Sequence, residues 1–433
     1  MVSISLLLHL HQPPTQFPEV LRRVTDQCYR PLVNLLSKYP SSHLTINLTR
    51  SLVEQLESVN LAIDVIPLLK EAVARGQVEL TGTAAYHILL PKLPKEEIVR
   101  QIQLNEETLY KYLGVAGPLR SQGIRNKELG IREGVSNPNS KFELPNSLST
   151  QGFFPPEMGI DPTATELLKD LGYQWVIVDE GAVDLDRHCD PALAGEAISK
   201  RLPRRGLLAM TEDGMTIVVR NKELSLKLAF GVVTTVEKFL AAAKPYALAP
   251  KPSLVIALDG ETFGHHQPAL MPFLEELVKK AASKDREYQM LTVSEMISDN
   301  IRENQSLQSV QIISSTWGDD WLKWDNPENE IHQLQWKLTN LAIETVKNSK
   351  STKDDAWLTA RTLLDRALHS DQYWWASLRP NWHYQIVERG AKMLRDVVLS
   401  VPEVSGDAKL AAERLYEQIT RTGRIKYGET VIV

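Results

Sequence analysis

Short apolar segments alternate with longer amphipathic segments over the first 300 residues of the chain. The short segments are typical of strands buried on both faces, and the longer ones repeat their apolar positions with the period of a helix. The predicted strands cover residues 2–10, 42–47, 78–81, 152–155, 175–178, 254–258 and 289–292. The predicted helices cover residues 18–38, 51–75, 95–113, 164–171 and 269–282. This alternation predicts an α/β fold in which about seven parallel strands form an open or closed barrel with helices outside it.

Two stretches interrupt the alternation. Residues 118–150 are polar and have no period, which is typical of a functional loop, here a lid over a cleft, or of a disordered segment. Apolar runs at 207–210 and 215–219 flank Glu212-Asp-Gly214, which predicts a hairpin. We place this hairpin beside the sheet, as an insertion near residues 200–222.

The periodicity changes after residue 300. Amphipathic helices are predicted at residues 329–348, 354–370, 382–399 and 407–421, and a strand-like pattern returns only at 426–433. We therefore predict a barrel domain over residues 1–300 and an α-helical bundle over residues 301–433.

Composition and charge exclude several classes of protein. The 433 residues include 49 Lys and Arg against 54 Asp and Glu, so a strongly basic surface for nucleic acid is not indicated. Two cysteines, Cys28 and Cys189, are too few for a disulfide scaffold or a cysteine-based zinc site. No apolar run is long enough for a membrane span, and the N-terminus lacks the features of a signal peptide. We expect a cytoplasmic protein without nucleic-acid or membrane partners, and the sequence predicts no particular oligomeric state.

Polar side chains stand just beyond four of the predicted strands. These groups are His9, His11 and Gln12, then Tyr86 and His87, then Glu157, and finally Asp259 and Glu261. Because the carboxyl ends of the strands in a parallel β/α fold meet at one edge, we expect these groups to face one crevice.

Glu157 and Asp259 are the two carboxylates whose surroundings indicate chemistry. Glu157 follows two aromatic residues and two prolines, and such a dry setting destabilises a charged carboxylate. The alternative is an ordinary N-cap or solvent-facing Glu before a helix near Pro162. Asp259 directly follows a buried strand, and its alternatives are helix N-capping or a metal site assembled in three dimensions. No His-x-x-x-His spacing occurs, so a zinc motif is not indicated.

Two carboxylates from different strand ends suit glycoside hydrolysis, in which one acts as nucleophile or base and the other as acid. Aromatic side chains then line the cleft, because sugar rings stack on them. All but one of the nine tryptophans follow residue 316, and the segment 317–324 has the pattern of a loop. The alternative for any single tryptophan is a place in the core of the helical bundle.

Five segments, in order along the chain, resemble the motif regions of glycoside hydrolase family 57, the α-amylase-like retaining enzymes. They are His11-Gln-Pro13, Gly82-Thr-Ala-Ala-Tyr-His87, Gly152-Phe-Phe-Pro-Pro-Glu157-Met, Ala257-Leu-Asp-Gly-Glu-Thr-Phe-Gly-His-His266 and Asp371-Gln-Tyr-Trp374. The stretch Arg220-Asn-Lys-Glu-Leu-Ser225 is similar to a further family stretch, which usually reads Arg-Asp-x-x-Leu-Ser.

The resemblance implies a (β/α)7 barrel-like parallel sheet followed by a C-terminal helical bundle. It implies that Glu157 is the nucleophile and Asp259 the acid/base of a retaining reaction that uses no catalytic metal and no cofactor. By the same resemblance, His11, His87 and Asp371 bind the sugar next to the scissile bond. The remaining residues that we assign to substrate binding are Arg220, Glu261, His265, Trp317, Trp321 and Trp374.

We therefore predict a retaining hydrolase or transglycosylase that acts on α-glucans. Two other classes stay open on the sequence. One is a non-catalytic α-glucan-binding or regulatory protein on the same scaffold. The other is a metal-dependent polysaccharide deacetylase, which shares the alternation of strands and helices.

Overall fold

The computed structural model describes residues 2–121, 148–184, 208–248, 253–283, 286–302, 307–318, 320–349, 354–379 and 381–429. The strands of these residues are β1 (Val2–Leu10), β2 (Leu44–Leu48), β3 (Val78–Thr81), β4 (Gly152–Phe153), β5 (Trp175–Val178), β6 (Val183–Asp184), β7 (Leu208–Met210), β8 (Thr216–Val219), β9 (Ser253–Asp259), β10 (Tyr288–Met290), β11 (Gln308–Ser309) and β12 (Gln311–Ile312). The α-helices are α1 (Pro18–Val24), α2 (Arg30–Lys38), α3 (Arg50–Ser58), α4 (Ala62–Ala74), α5 (Lys95–Leu113), α6 (Pro118–Ser121), α7 (Pro162–Asp170), α8 (Lys222–Ala229), α9 (Val236–Ala243), α10 (Leu270–Ala281), α11 (Val293–Ile301), α12 (Glu330–Lys347), α13 (Asp355–Ala367), α14 (Asp371–Trp374), α15 (Tyr384–Ser400) and α16 (Gly406–Tyr427).

Parallel strands run round a barrel. Strands β9, β1, β2 and β3 pair in parallel in that order, and so do β4, β5 and β8. A parallel bridge between Gly82 and Phe153 joins β3 to β4. On the other side, the backbone N–H of Asn221 donates to the carbonyl of Val255 over 2.7 Å, so the end of β8 reaches β9. The predicted α/β fold with a barrel-like parallel sheet is confirmed.

The sequence of the central strands explains their place in the sheet. Seven consecutive residues of β1 are buried, and so are the five central residues of β9. A strand covered on one face by helices and on the other by the barrel interior is apolar at most positions, although β1 also buries Ser5 and His9. This largely apolar character is why both strands were predictable.

The predicted hairpin is present, but its predicted place is wrong. Strands β7 and β8 pair antiparallel, whereas β8 also pairs in parallel with β5. All four residues of β8 are buried, as in other strands of the barrel. The second strand of the hairpin is therefore part of the sheet and not an insertion beside it, while residues 200–207 lie outside the described residues.

The single helix predicted over residues 51–75 is also wrong, because the chain breaks into α3 and α4. Asn60, between them, has a φ of 57°. Asparagine tolerates this left-handed conformation better than most residues, and one such residue interrupts a helix. In contrast, the predicted helix 18–38 is continuous, since a π-helical turn at Thr25–Tyr29 joins α1 to α2.

Two predictions at the domain boundary and the C-terminus need correction. Residues 308–312 form β11 and β12, which pair with β7 and β6, so the chain just after residue 300 still belongs to the barrel sheets. The strand-like pattern at 426–433 begins inside α16, and residues 430–433 lie outside the described residues. Of the predicted loop 118–150, the first residues form α6 and residues 122–147 are not described.

The C-terminal helices pack against the barrel. Leu338 of α12 and Leu394 of α15 belong to one hydrophobic cluster with Phe153 of β4 and Ile217 of β8. Because of this packing, residues 368–370 between α13 and α14 lie at the ends of the strands. Within the part of the chain that the structure describes, no helix combines the length and the apolar character needed to cross a membrane.

Candidate active site

Three imidazole rings stack where the parallel strands end. His9 and His11 lie at the end of β1, and His87 follows β3. The ring centroids of His11 and His87 are 4.1 Å apart, and those of His9 and His87 are 4.8 Å apart. Phe154 stacks on His9 at 4.7 Å. Burial lowers the pKa of His9 to about 3 and the pKa of His87 well below its ordinary value, so both rings are neutral at neutral pH.

Asp371 keeps its negative charge beside this stack. The Nε2 of His11 and the Nδ1 of His369 each lie 3.2 Å from its Oδ2. Although burial opposes the charged form, the contact with His11 holds the pKa of Asp371 well below its usual range. The other ring nitrogen of His11 is 3.1 Å from the hydroxyl of Thr49, which also caps α3. The capped helix therefore fixes the orientation of the His11 ring.

Glu157 is buried against the same stack. The indole N–H of Trp317 donates to its Oε2 over 2.8 Å, and the Ser370 hydroxyl donates to its Oε1 over 3.3 Å. The Nδ1 of His87 is 3.7 Å from Oε1. Burial, followed by the nearby charge of Asp371, raises the pKa of Glu157 to about 8. A buried carboxylate with three polar neighbours is not a solvent-facing side chain.

The backbone around Glu157 is strained. Glu157 has a φ of 57°, Met158 one of 46° and His87 one of 59°. Left-handed conformations of residues other than glycine cluster at functional sites, where the surrounding structure holds them. The alternative in which Glu157 caps the following helix does not hold, because the Asp161 side chain accepts the N–H of Ala164 over 2.7 Å and caps α7 itself.

Asp259 is the last residue of β9 and is partly exposed. Its side chain makes no capping hydrogen bond, which removes helix capping as its role. Burial raises the pKa of Asp259 to about 6, although the neighbouring His11 and Arg220 act in the opposite direction. The charge of Asp259 in turn contributes to the raised pKa of Glu157, after burial and the charge of Asp371.

Glu261 links two strand ends from below the cleft. Its Oε1 accepts the hydroxyl of Tyr29, the side-chain amide of Gln12 over 3.3 Å and the backbone N–H of His11 over 3.4 Å. Burial and the charge of Asp259 raise the pKa of Glu261 to about 8. Direct contact of Glu261 with a sugar stays a prediction.

Arg220 is buried, with 4% of its surface exposed. Its Nε lies 2.7 Å from the Oδ2 of Asp179, and its Nη1 donates to the carbonyl of Ala257 over 3.1 Å. The next residue, Asn221, accepts the N–H of Leu224 over 2.9 Å and caps α8. An Asp at this position would accept the same bond. Asn221, which stands where the family stretch usually has Asp, therefore still caps α8.

Tryptophans line one side of the site. Trp317, Trp321, Trp336 and Trp374 are partly buried and pack around a small apolar cluster that contains Trp324. Trp321 lies against the turn that carries Glu157, because a Cβ on Gly159 would stand 3.1 Å from its ring. In contrast, Trp324 and Trp382 are fully buried, and for these two the alternative of a core role holds.

Some predicted residues point elsewhere, and some neighbours of the site were missed. The Nδ1 of His265 lies 2.7 Å from the side chain of Gln27, and its place in a sugar site stays a prediction. The hydroxyl of Tyr86 donates to Glu54 over 2.8 Å, away from the stack. His369 and Ser370 were missed, although they directly precede the motif residue Asp371, which was the available signal.

One group of the site could hold a metal ion. The ligand atoms of His11, His87 and Asp371 all lie within 4.8 Å of one another. Two imidazoles and a carboxylate suit a divalent transition metal. The expectation of a reaction without a catalytic metal therefore stays a prediction that requires a direct test.

Comparison with known proteins gives a consistent picture of the sequence. The model of glycosyl hydrolase family 57 matches residues 9–143 and 147–311. An α-amylase of Pyrococcus horikoshii is 31% identical over 131 residues, which are 30% of this chain and 19% of that protein. A 4-α-glucanotransferase of Thermococcus litoralis is 29% identical over 97 residues, which are 22% of this chain and 14% of that protein. The matched segments thus span less than a fifth of the length of either relative.

Solved structures share the fold at low sequence identity. A branching enzyme of family 57 from Thermococcus kodakaraensis has a TM-score of 0.66 and 14% identity, and the match covers 97% of this chain and 95% of that one. An α-amylase from Thermotoga maritima has a TM-score of 0.60 and 15% identity, with 99% and 98% covered. Because the family model matches well over half of the residues, the chain belongs to glycosyl hydrolase family 57.

Proposed function

We propose that this protein is a retaining glycosidase or transglycosylase that acts on α-glucans. Glu157 attacks the anomeric carbon of the sugar and forms a covalent glycosyl-enzyme, while Asp259 protonates the departing oxygen. Asp259 then removes a proton from water or from an acceptor sugar, which attacks the intermediate. The observation that supports this proposal is that both carboxyl groups stand at strand ends beside the imidazole stack, since His9 pairs in register with Asp259 and stacks on His87, which lies 3.7 Å from Glu157.

The neighbours of the two carboxyls suit this chemistry. Asp371 is the group that stays ionised, and a fixed negative charge near the anomeric carbon stabilises an oxocarbenium-like transition state. His9 and His87 are neutral, so they add no positive charge that would destabilise this positively charged transition state. The indole N–H of Trp317 donates to one oxygen of Glu157 and the Ser370 hydroxyl to the other, and both bonds orient the carboxylate.

The test of the nucleophile is Glu157→Gln. We expect turnover of maltooligosaccharides to fall roughly 10³-fold or more, because an amide cannot form the glycosyl-enzyme, while binding measured by calorimetry stays within a few-fold. Glu166→Gln, an exposed change on α7, is the matched control and should leave the rate unchanged. If Glu157→Gln kept the wild-type rate on every accepted glucan, the assignment would be wrong.

Retention and transfer are separate questions with separate measurements. A retaining reaction on an α-linkage releases the α-anomer first, which proton NMR detects before mutarotation, and retention requires carboxyl groups about 5–5.5 Å apart. Product analysis with maltooligosaccharides, amylose and pullulan distinguishes hydrolysis from transfer, since transfer yields chains longer than the substrate.

The group of His11, His87 and Asp371 is the observation that keeps a metal-dependent deacetylase as a second candidate. Exhaustive chelation separates the two proposals, because the retaining reaction proposed here survives it and a metal-dependent reaction does not. Calorimetric binding of oligosaccharides without any product would instead support a non-catalytic α-glucan-binding protein.

A further inference from the structure

Two buried charges occupy the sector of the barrel between Glu157 and Asp259. Glu157 follows β4, Asp179 follows β5, Arg220 follows β8 and Asp259 ends β9, and these strands are neighbours in that order. The backbone N–H of Arg220 donates to the carbonyl of Val178 over 3.0 Å, which keeps the ends of β5 and β8 in register. The pair of Asp179 and Arg220 therefore stands between the two proposed catalytic groups.

Protein partners hold this pair on all sides. Asp179 has no exposed surface, and its Oδ2 lies 2.7 Å from both Nε and Nη2 of Arg220. Its Oδ1 accepts the backbone N–H of Gly181 over 3.2 Å and lies 3.3 Å from the Nζ of Lys222. Desolvating two charges is costly, so the contacts of the pair must offset that cost and hold the guanidinium in one orientation. Since Nη1 donates to the carbonyl of Ala257 and the other two nitrogens contact Asp179, the guanidinium of Arg220 binds protein groups and not a sugar.

The guanidinium of Arg220 lies beside the ring that orients Glu157. It is 5.5 Å from the centroid of Trp317, within the range of a cation–π contact. Phe154 and His9 flank the same ring with centroids at 5.9 and 6.2 Å. Trp317 belongs to a loop, so these flanking groups determine where its indole N–H points.

We propose that Asp179 and Arg220 are positioning residues, in which Asp179 fixes Arg220 and Arg220 orients Trp317 on Glu157 while keeping a positive charge near Asp259. The proposal rests on the proposed retaining function. The charge of Arg220 also lowers the pKa of Asp259, against the larger effect of burial, which raises it. Neither residue contacts the sugar, which replaces the substrate-binding role expected for Arg220 from the sequence.

The test compares Asp179→Asn, Arg220→Lys and Trp317→Phe in the full chain. We expect Asp179→Asn to lower kcat about 10–100-fold and to change KM less than about threefold, because positioning is lost and sugar contacts are not. The loss in the double variant with Trp317→Phe should be smaller than the product of the two single losses, since both changes act on the same indole. Arg220→Lys keeps the charge and loses the planar group, so the limb set by Asp259 should stay in place while the displaced indole moves the limb set by Glu157 to higher pH and kcat falls.

A second measurement does not depend on turnover. The ¹⁵N-indole resonance of Trp317, assigned by its absence in Trp317→Phe, should shift in Asp179→Asn and in Arg220→Lys. It reports the positioning even if the retaining function itself proves wrong, so the two failures can be told apart. The matched control is Asp365→Asn, which breaks a similarly buried contact with Arg100 between α5 and α13. The control should lower the melting temperature and leave this resonance in place.

An unchanged Trp317 resonance in folded Asp179→Asn, or a loss expressed mainly in KM, would overturn the proposal. Asp179→Asn should also move both limbs of the pH profile to higher pH, because a displaced Arg220 no longer favours ionised Asp259 and a displaced indole no longer favours ionised Glu157. If Asp179→Asn does not fold, Arg220→Lys decides the question by the same resonance.

Discussion

Burial sets the ionisation of each carboxyl group in the cleft, and the contacts of each group modify it. Asp371 has two imidazole partners and keeps its charge. Among the described residues, neither Glu157 nor Asp259 has a comparable pair of imidazole contacts, and burial raises the pKa of Glu157 to about 8 and that of Asp259 to about 6. The proposed reaction needs ionised Glu157 and protonated Asp259. With these pKa values this combination is a minor form of the free protein, and it is most populated between pH 6 and pH 8.

We expect kcat/KM to show a bell-shaped dependence on pH with limbs near 6 and 8. Below the lower limb the ionised fraction of Glu157 falls tenfold per pH unit, and above the upper limb the protonated fraction of Asp259 does so. Initial rates on a maltooligosaccharide from pH 4.5 to 9.5 measure the profile. A rate that stays constant across this range would contradict the pKa values given for Glu157 and Asp259. The melting temperature, measured at each pH, is the control that shows the protein is still folded.

Glu261 makes stability depend on pH. Its folded-state pKa of about 8 lies above the ordinary value of 4.5, so the folded protein binds more protons than the unfolded chain between these values. Stability therefore falls as the pH rises through this window. We expect Glu261→Gln to raise the melting temperature by a few °C at pH 8.5 and to change it much less near pH 5, because the amide oxygen still accepts from Tyr29. Thermal unfolding at both pH values tests this, and an equal shift at the two values would contradict it.

At the scale of secondary-structure elements, the turns after the strands store strain where the chemistry is proposed. Left-handed residues at Glu157 and His87 end the turns that follow β4 and β3. The contacts of Glu157 with Trp317 and Ser370 hold that conformation, and the same contacts orient its carboxylate. The geometry of the turn and the geometry of the site thus depend on each other.

Glu403 has the same conformation in a different setting. It is exposed in the connection between α15 and α16 and has a φ of 55°. We expect Glu403→Gly to increase the free energy of unfolding by about 0.5–1 kcal/mol, because glycine has no Cβ to strain this conformation. Glu403→Ala is the control, since it keeps the Cβ and should give no such gain in denaturant unfolding. Equal effects of the two changes would show that strain is not the cause.

At the scale of the whole molecule, the barrel and the C-terminal helices share a core. The same hydrophobic cluster contains residues of β4, β5 and β8 together with residues of α12, α13 and α15. This shared cluster brings Asp371 to the strand ends although it lies 360 residues after His11. The site is therefore complete only when the two parts are packed together.

The shared core predicts that the two parts unfold together. Leu338 of α12 is fully buried in this cluster, and Leu338→Ala should lower the free energy of unfolding by about 2–5 kcal/mol. Calorimetry should show one transition that moves to lower temperature. Leu410→Ala on α16, where half of the side chain is exposed, is the control and should change stability by less than about 0.5 kcal/mol. Two transitions, of which only one moves, would contradict a shared core.

The sequence by itself determined the alternation of strands and helices and the carboxylates that end the strands, because both follow from local patterns. A strand buried on two faces is mostly apolar, as in β1 and β9, and a polar residue at or just after its end lies at the edge of the sheet. The family motifs added expected roles for Glu157 and Asp259, which stay proposals.

Only the tertiary structure decided which distant side chains meet these carboxylates. Trp317 reaches Glu157 across 160 residues, and the pair of Asp179 and Arg220 forms because β5 and β8 are neighbours, which the pattern of the hairpin did not predict. Burial, ion pairing and the direction of a loop side chain depend on packing between elements. No local spacing in the sequence encodes them, and for that reason the ionisation of the site could be read only from the folded chain.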